Sequence, residues 1–170
     1  MAELSKDPKG WELEDLVSAH FASRACYVET SIKERNPDEI LELDVVWTDY
    51  RDSSEVRHPV EVKSGEWHLP DIFKFYGWTQ YLRLEPGLFI HKESHGRLDP
   101  ETLKRVEERT GIRRVYVPTP EPAEAYFNSL GLEEPAWSDL PQLWRYSFWA
   151  RRRMVKALGK AIEELQGRMC

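Results

Sequence analysis

Ile40-Leu41-Glu42-Leu43-Asp44-Val45-Val46-Trp47-Thr48 and, after a polar turn, Pro59-Val60-Glu61-Val62-Lys63-Ser64-Gly65 decide the fold. Both stretches are short, rich in β-branched residues and bounded by turn formers, and the first also carries Trp47. Both therefore read as strands, the second running from Val56 to Lys63 with Ser64-Gly65 closing it. Successive side chains of a strand point to opposite faces. In the first stretch Leu41, Leu43, Val45 and Trp47 then share one face, and Glu42, Asp44 and Val46 the other. In the second, Val60 and Val62 share one face, and Glu61 and Lys63 the other. If the two strands are neighbours, two carboxylates and an ammonium converge on one side of a sheet.

The rest of the chain supplies layers for that sheet. After Gly10, the residues Trp11, Leu13, Leu16, Val17, His20 and Phe21 recur at helical spacing, which predicts a helix from about Trp11 to Ala25. Tyr27 to Lys33, with Val28, Thr30 and Ile32, reads as a strand, and Asn36-Pro37-Asp38 as a turn. Asp49 to Ser54 is polar and turn-like. Pro70 opens a second helix, with Ile72, Phe73, Tyr76, Thr79 and Gln80 along one side, and Pro86-Gly87 ends it. Leu88-Phe89-Ile90 begins a buried strand. Asp99-Pro100-Glu101 starts a third helix that Gly111 stops, and Arg113 to Val117 is a fifth strand. Pro118, Pro120 and Pro122 break the pattern. Helical segments follow, a short one near Glu121–Leu130 and a long one from about Leu140.

Short turns between the first three strands imply an antiparallel meander. Helix-linked strands after them can pair in parallel. The expectation is an α/β fold with a mixed β-sheet flanked by helices. The core would span residues 1–118. Residues 119–170 would form a helical C-terminal extension, packed on the core or used in dimerisation.

Of 170 residues, 41% are apolar and 12% aromatic, which favours a packed core over disorder. The apolar runs are a few residues long, far short of the roughly 20 that a membrane span needs. Cys26 and Cys170 form no framework, and the first residues are polar and acidic, so a cytoplasmic location is expected. The net charge of −6 argues against coating nucleic acid by bulk charge. Its distribution is uneven. Residues 1–66 hold 8 Lys+Arg and 16 Asp+Glu, whereas residues 145–170 hold 7 and 2.

An Asp44, Glu61 and Lys63 constellation suits a hard cation such as Mg²⁺, which prefers carboxylate oxygen and keeps several waters. Such an ion can hold a phosphate oxygen and lower the pKa of a bound water. Lys63 can then orient that water or neutralise charge at phosphorus. Asp44, then Glu61-Val62-Lys63, preceded by Glu14 four residues after Gly10, resembles the PD-(D/E)xK nuclease superfamily. The opening helix Gly10-Trp11-Glu12-Leu13-Glu14-Asp15-Leu16-Val17 is similar to that of Holliday-junction resolvases and Mrr-like restriction enzymes.

The resemblance covers about Gly10 to Val117. It implies a restriction-endonuclease-like fold and a hydrolase, a Mg²⁺- or Mn²⁺-dependent endonuclease acting on DNA or RNA. It implies metal binding by Asp44, Glu61 and the Val62 carbonyl, with Glu14 assisting or holding a second ion. It also implies an accessory place for a polar residue on the second helix, here Gln80. The long acidic turn from Asp49 to Glu55 departs from the pattern. An acid-x-Lys triplet alone carries little, since Asp7-Pro8-Lys9 matches too. What distinguishes Glu61-Val62-Lys63 is its context: Asp44 before it, a helix after it, and Glu14 upstream.

Other readings stand beside these. Asp44 can be a water-facing strand residue, Glu61 and Lys63 a solvated surface pair, and Glu14 an ordinary helix-surface acid. Tyr76 and Trp78 read first as core. His91 and His95 are four apart but span a turn signal, and no cysteine pair joins them, which disfavours zinc. In the tail, Trp149, Arg152, Arg153, Lys156 and Lys160 fall near one helical side, either as nucleic-acid contacts or as a solvated face. Its apolar stripe is Trp144, Phe148, Val155, Leu158, Ile162 and Leu165. The expected partner is nucleic acid, DNA first, with a homodimer or protein partner open. The alternative function is a catalytically silent nuclease-fold subunit used for binding or assembly.

Overall fold

Gly10 begins the first helix with φ of 52°, a left-handed value that strains any residue with a Cβ. Its carbonyl accepts the N–H groups of Leu13 and Glu14, which starts α1, Trp11–Ser23. The computed structural model describes residues 7–24, 26–35, 38–50, 56–92, 99–116 and 152–167. Next come β1, Tyr27–Arg35, β2, Glu39–Thr48, and β3, Arg57–Lys63. Then follow α2, Leu69–Tyr81, β4, Leu88–His91, α3, Pro100–Thr110, and β5, Arg113–Tyr116. A last helix, α4, is Arg152–Gly167. The expected segment near Glu121–Leu130, the domain boundary at 118/119, Trp149 and the start of the tail helix lie outside the described residues. So does His95.

The five strands form one sheet in chain order. β1 pairs with β2 and β2 with β3 antiparallel, whereas β3–β4 and β4–β5 are parallel. Meander and crossovers therefore meet at β3, the strand that carries Glu61 and Lys63. The class is α/β, as expected. Among the described residues, no helix is long and apolar enough to cross a membrane.

Helices cover both faces. On one, Leu13, Leu16, Val17 and Phe21 of α1 pack with Val45, Val60, Val62, Ile90 and Val115. On the other, Ile72 and Phe75 of α2 pack with Leu41, Leu43, Val46, Phe89 and Ile112, with Leu103 and Val106 of α3 against them. Burying each such side chain stabilises by roughly 1.5–3 kcal/mol. Two aromatics of the helical patterns, Trp11 and Phe73, are about half exposed, at 45% and 51%. Each lies off its helix's buried stripe, which on α2 is Ile72, Phe75 and Thr79.

The caps follow the sequence signals. In α2, the His68 N–H donates to the Asp71 carboxylate at 2.6 Å. In α3, Asp99 accepts from the Thr102 N–H at 3.0 Å, and Gly111 closes the helix at φ of 70°. Gly87 is required for packing, because a Cβ there would overlap the Pro59 carbonyl.

The alternation in β2 differs from the expected one. Leu41 and Leu43 face α2, but Val45 packs with α1, and Val46 faces α2 again. The slip falls between Leu43 and Asp44. Across from it in β1, Ser31 has a left-handed φ of 52°, although the β1–β2 register is the same on both sides of it and shifts only between Glu34 and Arg35. A non-glycine residue in that region costs on the order of 1 kcal/mol. Asp44 shares the α2 side with Glu61 because Val45 and Val60 are cross-strand partners, and the slip brings Leu41 and Leu43 to that side as well.

Candidate active site at the β2–β3 divergence

The β2–β3 ladder runs from Thr48↔Arg57 to Val45↔Val60 and ends there. Past that point the strands part, and the Asp44 carboxylate accepts the Val62 N–H at 2.8 Å. A side chain thus takes the bond that the next rung of backbone would have made. The divergence opens a cleft of roughly 190 Å³ lined by Ile40, Leu41, Glu42, Asp44, Glu61 and Lys63 from the strands and by Lys74 and Trp78 from α2.

Glu61 is 5% exposed. Its Oε1 is 2.6 Å from Lys63 Nζ, and its Oε2 is buried without a hydrogen-bond partner. Burial and the nearby Asp44 charge push its pKa from 4.5 up to about 7, with Lys63 opposing. Burial likewise raises Asp44, while the Val62 N–H and Lys63 hold it down. Burial works against the Lys63 ammonium, but Glu61 and Asp44 outweigh it and raise its pKa. The site therefore holds two crowded carboxylates that share too little positive charge.

The structure brings Asp44, Glu61 and Lys63 together, as the strand pattern predicts. The Val62 backbone lies between Glu61 and Lys63. Glu14 is half-buried on α1, which packs on the opposite face of the sheet, and it does not line the cleft. Its helix is tied to the end of β3, since the Gly10 N–H donates to Ser64 Oγ at 2.8 Å. Gln80 is exposed and also off the cleft wall. Lys74 and Trp78 are one turn apart and define the wall. Gln80 sits two residues beyond Trp78, which rotates it about 200° away. In the tail, Lys160 is exposed, while the side chains of Arg152, Arg153 and Lys156 lie outside the described residues.

Lys74 was not legible as a site residue. It is exposed, its Nζ sits 4.4 Å from the centre of the Trp78 ring, and its charge acts on both Asp44 and Glu61. The available signal was the Lys74–Trp78 spacing of four on the helix that follows Lys63. Trp78 packs against the α2-side core, as its sequence reading has it, and also lines the cleft.

The residues fit a hard divalent cation. A buried carboxylate oxygen without a partner, beside a second carboxylate, is a donor set that a cation would satisfy. Among the described residues, no three His, Cys, Asp or Glu side chains gather to hold a metal. Two carboxylates suffice for an ion that keeps several waters, and the set does not resemble a four-ligand zinc site.

No family model matches the chain, and no curated protein matches it. Among solved structures it is similar to the crystal structure of a protein of unknown function, AF1548. The identity is 17% and the TM-score 0.49, over 72% of this chain and 67% of that one.

Proposed function

We propose that this chain is a divalent-metal-dependent nuclease of restriction-endonuclease-like fold that hydrolyses phosphodiester bonds, in DNA or in RNA. The observation that carries the reading is Glu61 Oε2, buried and without a hydrogen bond beside Asp44. Asp44 and Glu61, with the Val62 carbonyl, would hold Mg²⁺ or Mn²⁺. When bound, the ion supplies Lewis-acid charge to a phosphate oxygen and lowers the pKa of a water. Lys63, on the same face as Glu61, positions the attacking water and holds positive charge beside the phosphate. Lys74, at the cleft mouth, meets a non-bridging phosphate oxygen. The net charge of −6 is compatible with this, because Glu14, Asp44 and Glu61 are part of the acidic front segment.

The test is a cleavage panel over single-stranded, duplex, flapped and four-way DNA and RNA with Mg²⁺ or Mn²⁺. Cleavage that stops with chelator, and that Asp44→Ala and Lys63→Ala abolish, supports the reading. Full activity in either variant overturns the assignment of the site. One observation favours a second reading, a catalytically silent binding subunit: of the three acids that line the cleft, Glu42 is paired with Lys33 at 3.0 Å, which leaves Asp44 and Glu61 beside Lys63. Mn²⁺ binding by calorimetry without cleavage of any substrate would select it.

A further inference from the structure

A second concave surface lies between α2 and α3, away from the acids. It has a volume of about 250 Å³ and is lined by Phe73, Thr102, Arg105, Val106 and Arg109. Phe73 is 51% exposed, although Ile72 and Phe75 on either side of it in the same helix are buried. Thr102, Arg105, Val106 and Arg109 follow helical spacing, so they form one face of α3. Two acids of α3 are engaged off the groove: Glu107 pairs with Arg114 at 3.0 Å, and Glu108 approaches Lys104 at 3.9 Å. Among the described residues no carboxylate lines the groove. Asp99 caps the helix and feels the Arg105 charge from the helix start, and Arg105 donates to Thr102 Oγ1 at 3.0 Å, which steadies its guanidinium.

An exposed ring flanked by two cations, with no acid, complements a stretch of anions that carry flat faces. Single-stranded nucleic acid has that chemistry: bases stack on aromatics while phosphates pair with Arg. Position agrees. Phe73 and Lys74 are consecutive on α2, Phe73 toward α3 and Lys74 toward the cleft. A strand lying across α2 would meet both.

We propose that the α2–α3 groove binds an unpaired segment of a nucleic-acid strand, with Phe73 stacking on a base and Arg105 and Arg109 pairing with the adjoining phosphates. The inference rests on the nuclease reading for the presence of a strand, and its test is separate from cleavage. Anisotropy of labelled oligothymidylate and oligouridylate, about a dozen nucleotides long, is measured in EDTA, where the metal site is silent. Phe73→Ala lowers affinity roughly 5- to 100-fold, more than for a duplex of equal length, and Phe73→Tyr restores it. The double variant Arg105→Ala/Arg109→Ala lowers the slope of log affinity against log salt by about 1.4. The two oligonucleotides tell DNA from RNA as the source of the strand. Absent binding by the wild type, or equal affinity in the wild type and Phe73→Ala, overturns the proposal. So does Arg-dependent capture of polyglutamate in place of the oligonucleotides, which would assign the groove to an acidic protein. Groove binding without metal-dependent cleavage leaves the inference standing and removes the nuclease reading.

Discussion

The Asp44 carboxylate accepts the Val62 N–H at 2.8 Å, at the point where β2 and β3 cease to pair. One side chain thereby closes the end of the ladder and places a charge beside Glu61. The two roles separate by substitution. Asp44→Asn keeps an acceptor for Val62 and removes the charge, so it folds with stability at least equal to the wild type and loses Mn²⁺ binding and cleavage. Asp44→Ala also leaves the Val62 N–H without its acceptor and costs about 1–3 kcal/mol. Denaturant melts and Mn²⁺ calorimetry on the same samples check both. An Asn variant that binds Mn²⁺ as tightly as the wild type refutes the charge role.

Glu61 links the site to stability through pH. Its folded pKa is raised to about 7 from 4.5 by burial and by Asp44. A carboxyl raised on folding keeps its proton longer in the folded state. Its stabilising contribution is full below pH 4.5 and is lost as pH rises through 7. Glu61→Gln mimics the neutral form at every pH. The variant should match the wild type at pH 4 and exceed it at pH 8 by on the order of 2 kcal/mol. Mg²⁺ should stabilise the wild type at pH 8 and leave the Gln variant unmoved. Melts at the two pH values, with and without Mg²⁺, measure this.

Element order and strand pairing were legible because β2 and β3 are short and bounded by turn formers, and because Asp99-Pro100 and Gly111 mark the ends of α3. The convergence of Asp44, Glu61 and Lys63 was legible from the period of two within each strand. The slip at Asp44 was not. It falls opposite Ser31, whose φ is left-handed, and serine carries no local signal for that conformation. Lys74 was not legible either. An exposed lysine on a helix looks the same whether it faces bulk water or a cleft, and the difference comes from where β2 and β3 diverge.

His20 sets a second pH dependence, opposite in sign. It is fully buried on α1, and burial, with the Arg24 charge adding, lowers its pKa from 6.5 to about 3. The unfolded chain takes up the proton first as pH falls. Stability from the neutral imidazole is therefore complete above pH 6.5 and is lost as pH falls toward 3. Relative to His20→Leu, the wild type should lose about 1.4 kcal/mol per pH unit in that window. Urea melts from pH 7 to pH 4 read the difference. Parallel stability curves for the two proteins would show that His20 takes up its proton at the same pH in the folded and the unfolded chain.

The strap of residues 7–10 predicts an asymmetry between two partners in one ion pair. Lys92 is 5% exposed at the end of β4, and its N–H donates to the Lys63 carbonyl at 3.0 Å. Its ammonium bonds the Asp7 carboxylate and, at 2.9 Å, the Pro8 carbonyl, and the Lys92 bond holds Asp7 below the usual carboxylate range. The lysine is buried and the aspartate half exposed, so the losses differ. Asp7→Ala leaves a buried ammonium with one neutral acceptor and costs about 3 kcal/mol. Lys92→Met leaves a carboxylate that water can solvate and fills the space with a side chain of similar length, so it costs about 1 kcal/mol. The strap also carries Gly10, whose N–H holds Ser64 beside Lys63. Asp7→Ala should therefore loosen the end of β3 and speed amide exchange at Ser64 and Lys92, while the α2 amides keep their protection. Hydrogen exchange resolves the two regions, and equal losses of stability in both variants would show that the pair contributes as a surface contact only.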